Sequence, residues 1–385
     1  MKRIRLARRL RRLTRTRRLK RRHIFILAIL VMAGVKALDQ NNLNPQNLVN
    51  MAKSMFSSRA EASVCTTSQS ICSERIKIGG GTFQVWRNYP LTAQNADITH
   101  AIIMVHGRSR NADDYFTYGI GAVEKAGRMD STLVLSPYYR QDSDNKLDTD
   151  LYWRRKGRAS RTDWAMGGKS YAPAKISSFA VLDDILKHLD NPNNFPNLKS
   201  LAIAGHSAGG QVVHRYAVSG NRQEPNLGFS VHYIPSNPSS YSYLSALRPS
   251  DDDGSNGDDG EVELSFGRYS GPECSYYNNW GYGLDDPNDY VDDYTKTQII
   301  SRYRQRQVTY LMGEKDTKER SLDQTCAANA QGENRIERAR AYYDYIQTHY
   351  PTETQRFSLV PGVGHSGRRI FQSEQGLEAL FMNAD

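Results

Sequence analysis

Six short runs of almost unbroken apolar residues alternate along the chain with amphipathic stretches of helical period, and that alternation narrows the fold more than any other feature. The runs are THAIIMVHG, STLVLSPYY, LKSLAIAG, LGFSVHYIP, QVTYLMG and QRFSLVPG. A strand with one wet face would alternate apolar with polar residues. THAIIMVHG does not, so it is predicted to be a strand buried on both faces, STLVLSPYY and LAIA are read as further buried strands, and the remaining runs as strands of the same sheet. Between them ADDYFTYGIGAVEKAG, GGQVVHRYAVS and ENRIERARAYYDYIQTHY read as helices, and SEQGLEALF as a closing one. In SSFAVLDDILKHL, Phe179, Leu182, Ile185, Leu186 and Leu189 share one helical face behind a serine cap. Asp113 and Asp114 fall in a first helical turn, where the macrodipole favours acids. Upstream, ERIKIGGGTFQVWRNY has two β-rich halves split by three glycines, a predicted hairpin. Strands alternating with helices, without an internal repeat, specify an α/β fold: a mostly parallel central sheet flanked by helices. In such sheets ligands collect at the carboxyl ends of the strands.

The net charge of +10 over 385 residues invites a nucleic-acid reading that its distribution does not support. Of the first 22 residues, MKRIRLARRLRRLTRTRRLKRR, 13 are Lys or Arg, and the first acid is Asp39. The remainder holds 38 basic against 41 acidic residues, a net of −3, so the main domain carries no surplus for a polyanion. The tail runs into IFILAILVMAGV, Ile24 to Val35, a 12-residue apolar run that is shorter than the roughly 20 residues of a comfortable bilayer span. Residues 1–37 are read as a targeting segment: a secretory signal cut after Ala37, or an uncleaved anchor that brings residues 1–36 to a membrane. An organelle transit peptide is an alternative for this segment, and a disordered arm binding RNA or acidic lipid is one for residues 1–22. Residues 38–72, rich in Asn, Gln, Ser and Ala, read as a linker, with the folded domain over 73–385. The four cysteines form no C-x-x-C pair, which argues against zinc. Behind an export signal they suggest two disulfides, Cys65 with Cys72 and Cys274 with Cys326. Four inert buried thiols are the alternative.

Two stretches interrupt the alternation and read as insertions forming a pocket wall or lid. One, at about 140–175, carries Trp153 and Trp164 among basic residues; the other, at about 236–300, holds the acidic run SDDDGSNGDDGE and the aromatic PECSYYNNWGYG. The acidic run misses the EF-hand spacing and reads as a solvated loop. The aromatic residues suggest a pocket for a sizeable aromatic, acyl or sugar-bearing group.

The segment GHSAGG, Gly205 to Gly210, stands between the strand LAIA and the helix QVVHRYA. A serine held at a sharp strand-to-helix turn is backbone-strained, and its neighbours two residues away must lack side chains; Gly205 and Gly209 satisfy that need. The hydroxyl needs a base, and the base an orienting acid. Asp316 follows QVTYLMG, with Glu314 in the same loop as its competitor, and His365 follows QRFSLVPG in a glycine-rich turn. The chain order Ser207, Asp316, His365 resembles that of the α/β-hydrolases. The likeness spans Ser73 to the C-terminus, on GHSAG, the Asp and His loops and VHGRS. It implies an α/β-hydrolase fold with cap insertions, and an oxyanion hole made by the backbone amides of Arg108 and Ala208. It further implies acyl transfer on a small-molecule or polymeric ester without metal or organic cofactor. Lipase, peptidase and polyester depolymerase are the rival activities, and a non-catalytic binding protein of the same fold is the rival class. His106 and His206 are expected to shape turns, and the Arg108 side chain either to pair with a local acid or to meet an acidic substrate group.

Overall fold

The structure, a computed structural model, describes residues 64–384 apart from 68, 70–71, 155–159, 221–225, 251–263 and 272. The chain divides into two units, Met1–Ser63 and Val64–Asp385, and the described residues all belong to the second. The basic tail, the apolar run and most of the predicted linker therefore lie outside the described residues, as does nearly all of the acidic run. Among the described residues no helix is long and apolar enough to cross a membrane.

The apolar runs form the sheet as their patterning requires. The strands are β1 (Ser73–Ile78), β2 (Gly81–Arg87), β3 (His100–Val105), β4 (Thr132–Pro137), β5 (Ser200–His206), β6 (Ser230–Ser236), β9 (Gln307–Gly313) and β10 (Gln355–Val360), numbered in chain order around a separate hairpin of β7 (Leu247–Ser250) and β8 (Ser265–Arg268). They pair in the order β1-β2-β4-β3-β5-β6-β9-β10. From β4 through β10 every pairing is parallel, while the predicted β1–β2 hairpin adds an antiparallel edge. Every residue of β3, β4 and β5 is buried, as unbroken apolar strands covered on both sides must be.

Side-chain alternation along each strand sends successive residues into two cores. Ile102, Met104 and Ala204 join one core with helices α1 (Ala112–Lys125), α7 (Gly367–Phe371) and α8 (Glu374–Phe381). Ile103, Val105 and Ile203 join the other with α2 (Ser178–Leu189), α3 (Ala208–Ser219) and α6 (Arg335–His349). The helices α4 (Lys296–Tyr303) and α5 (Cys326–Asn329) complete the set among the described residues. Both expected disulfides, Cys65–Cys72 and Cys274–Cys326, are present.

The two long connections differ from the expected aromatic lid. Trp153, Trp164 and Trp280 are all buried, with at most 1% exposed. Trp164 stacks on Tyr139 at 5.3 Å between ring centroids and tilts against His106 at 5.0 Å. Large flat side chains lower their free energy most by leaving water altogether, so these tryptophans extend the core.

Candidate active site

Strands β3 and β5 are hydrogen-bonded neighbours, with Val105 opposite Gly205, while β4 departs to one side of β3 and β5 to the other. Chain direction switches there, and the loops after the two strands emerge side by side. Ser207 caps α3 with φ 61° and ψ −118°, a left-handed conformation that costs a non-glycine residue of order 1–3 kcal/mol. The surrounding backbone holds it: the Ser207 N–H donates to the Ser236 carbonyl at the end of β6, at 2.9 Å. A Cβ on Gly209 would lie 2.1 Å from the Val105 carbonyl oxygen, and one on Gly205 2.4 Å from that of Gly209. The turn can be this tight only with glycine on both sides.

The loops after β9 and β10 are stitched together, the Lys315 N–H donating to the Val363 carbonyl at 2.8 Å. This brings His365 to Asp316, with His365 Nδ1 2.6 Å from Asp316 Oδ2. The Asp316 side chain is fully buried, that of His365 28% exposed. Asn237 donates its Nδ2–H to the same carboxylate oxygen at 2.5 Å. The guanidinium of Arg335, also fully buried, stands 3.5 Å from Oδ1. Glu314 faces elsewhere and accepts the Gly362 N–H at 2.7 Å.

Ser207 and His365 line one cavity of about 500 Å3. Their mutual hydrogen bond is not formed in this structure; such bonds commonly tighten only around bound substrate. Arg108 and Ala208 line the same cavity. Ala208 is the first residue of α3, so its N–H has no partner within the helix. The Arg108 N–H sits inside the turn closed by the Arg110 N–H on the Gly107 carbonyl.

No family model matches the chain, and no curated protein matches it. Solved structures do. Poly(aspartic acid) hydrolase-1 from Sphingomonas sp. KT-1 superposes with a TM-score of 0.54 at 19% identity, over 80% of this chain and 98% of that one. LpqC, a poly(3-hydroxybutyrate) depolymerase from Bordetella parapertussis, gives 0.49 at 20% identity, over 77% and 86%. The chain has the α/β-hydrolase fold.

Within that fold the remaining residues fall into place. The Arg108 guanidinium is taken by buried Asp163, with its Nη1 2.7 and 2.8 Å from the two carboxylate oxygens, so its side chain pairs with a local acid. His106 accepts the Tyr139 N–H at 3.0 Å through Nε2 and bonds the Gly107 carbonyl through Nδ1. Burial, ahead of all else, lowers its pKa to about 4, and it stays neutral. His206 bonds the Tyr115 hydroxyl at 3.0 Å, and its ring centroid lies 4.4 Å from that of His365. Burial first, then His365 and Arg335, hold its pKa well below the ordinary value. His106 thus holds the turn after β3, as its position suggests, while His206 lines the cavity against His365.

The sequence reading missed Asn237 and Arg335. Asn237 follows β6 directly, and the end of a parallel strand is a place where functional residues are expected. Nothing local marks Arg335, whose side chain also donates to the carbonyls of Lys318 and Arg320 at 3.1 and 3.2 Å.

Proposed function

We propose that this α/β-hydrolase domain is a serine hydrolase that cleaves carboxylic ester bonds through an acyl-enzyme. The observation that carries the reading is the convergence of a strained Ser207 and an Asp316-bonded His365 on one cavity. Ser207 Oγ attacks the carbonyl as His365 Nε2 takes its proton. Asp316 holds Nδ1–H, which fixes the tautomer and stabilises the imidazolium. The amides of Arg108 and Ala208 face the developing oxyanion, where one donor is typically worth about 3–4 kcal/mol. His365 returns the proton to the leaving alcohol, and water then repeats the sequence on the acyl-enzyme to release the acid. An ester suits this machinery because an alkoxide leaves the tetrahedral intermediate more readily than an amide nitrogen does. No step draws on a metal or organic cofactor, and the substrate is a small-molecule or polymeric ester.

The test is fluorophosphonate labelling of the full chain, with the modified residue located by mass spectrometry. Label on Ser207 that disappears in Ser207→Ala supports the reading. Folded protein that takes no label would mean that His365 and Asp316 do not activate the serine, and the binding-protein reading would replace this one. The two disulfides fit an oxidising compartment, which supports residues 1–37 as an export signal or anchor.

A further inference from the structure

The cavity at Ser207 contains cations without carboxylates. Its lining includes Arg108, Arg335, Lys318, Arg320 and Arg368, and no Asp or Glu. Two of the five are spoken for: Arg108 by Asp163 and Arg335 by Asp316. Lys318, Arg320 and Arg368 are exposed and have no ion-pair partner among the described residues. None of the acids in the adjoining segments forms an ion pair with them. Asp114 accepts from Asn111, Glu314 from the Gly362 N–H, and Asp113 and Glu319 do not line the cavity.

The loop bearing Lys318 and Arg320 is fixed, because the buried Arg335 guanidinium holds both of their carbonyls. Arg368 comes from the other side, on α7 just beyond His365. The cations therefore flank the base from two directions. Apolar lining is sparse: beside Tyr115 and Tyr118 the wall offers Ala208, glycines and polar side chains. A fatty acyl group would gain little from such a wall, since its affinity scales with apolar area removed from water. A carboxylate would gain charge-assisted hydrogen bonds from Arg320 and Arg368 and attraction to Lys318.

We infer that the substrate hydrolysed at Ser207 is anionic, bearing at least one carboxylate besides the scissile carbonyl, and that Lys318, Arg320 and Arg368 hold it. The inference rests on the serine-hydrolase reading and adds the substrate class. Two p-nitrophenyl esters of equal acyl length test it on the full chain: the butyrate, which is neutral, and the hydrogen succinate, which ends in a carboxylate. At low ionic strength the expected kcat/KM favours the succinate by about tenfold, the scale of several partly exposed charge contacts acting together. The ratio should shrink as salt is raised toward 1 M and fall toward one in Lys318→Ala/Arg320→Ala/Arg368→Ala. A ratio at or below one, in protein whose Ser207 takes the fluorophosphonate label, overturns the inference. If Ser207 takes no label, the hydrolase reading has failed separately. Calorimetric titration of the folded protein with propane-1,2,3-tricarboxylate then decides: binding lost in the triple variant upholds an anion site, and absence of binding overturns it.

Discussion

Replacing Arg335 with methionine tests what holds Asp316, and also frees the Lys318 and Arg320 carbonyls; the double variant below separates the two effects. The two side chains are fully buried, and Arg335 Nη1 lies 3.5 Å from Asp316 Oδ1. Methionine keeps the length and removes the charge. Breaking a buried ion pair from one side costs about 3–5 kcal/mol, chiefly because the surviving charge stays buried without compensation. Asp316 retains Asn237 and His365 on its other oxygen, which places the expected loss at the lower end, about 3 kcal/mol. For a domain of this size that is a fall in Tm of about 4–5 °C. Urea denaturation followed by tryptophan fluorescence reads it directly, since Trp153, Trp164 and Trp280 are all buried. Asp316→Asn alone leaves Arg335 as the uncompensated charge. The double variant removes both charges together and should recover about 2 kcal/mol relative to the sum of the singles. Strict additivity would refute the account, because it would mean that the two groups do not feel one another. A single-variant loss below about 1 kcal/mol would refute it as well, showing Asn237 and His365 to be sufficient.

Three further outcomes are expected. Asp316→Asn should slow Ser207 labelling roughly 10^4-fold, whereas Glu314→Gln should leave it near wild type, because Glu314 serves the Gly362 N–H; equal effects would show that Asp316 is not the acid. Burial lowers His100, His106 and His232 to about 4 from an ordinary 6.5, so between those values the unfolded chain binds more protons than the folded one. Stability present above pH 6.5 is therefore lost as pH falls toward 4, by up to about 1.4 kcal/mol per pH unit for each histidine, and urea midpoints unchanged from pH 7 to 4.5 would contradict it. Removing the Cys274–Cys326 bond, which spans a separation of 52 residues, by Cys274→Ser/Cys326→Ser should cost about 4 kcal/mol in the chain-entropy model; a loss under 1 kcal/mol would show that the closed loop adds little.

The centre of the sheet was legible because its strands are buried on both faces and thus apolar without a break; every residue of β3, β4 and β5 proves buried, whereas the edge strand β10, with Arg356 and Ser358 among its residues, is buried only at its two ends. Helix α4 was not, and it disappeared into the predicted insertion. Only Ile299 and Tyr303 of its eight residues are buried, too few to set a period. Its readable signal was the capping box of Thr295 and Gln298. Ser207 was legible because its chemistry demands glycines at fixed spacing. Asn237 and Arg335 were not, because a hydrogen bond or a charge for Asp316 can come from any element the fold brings near, and these two arrive from just past a strand and from the first turn of a helix.

The cationic cavity was hidden for a different reason. In the segment KDTKER, Lys315 to Arg320, three cations alternate with Asp316 and Glu319, and the whole of the chain beyond residue 22 is slightly acidic. Read as a string, the segment is a solvated, nearly neutral loop. Folding separates its charges. Asp316 turns inward, 1% exposed, and meets His365 and Arg335, while Lys318 and Arg320 stay on the cavity wall. Arg368 joins them from 48 positions further along the chain than Arg320. Net charge is a sum that cannot register this sorting, but substrates respond to the local field, which falls off over about 8 Å at physiological salt. The carboxylate bonded to His365 is thus also the one whose withdrawal leaves Glu319 as the loop's other acid beside Lys318 and Arg320. On the proposed reading, the orientation of the base and the sign of the cavity are then coupled: a variant that released Asp316 toward solvent is expected to lose the base's orientation and the preference for anions together.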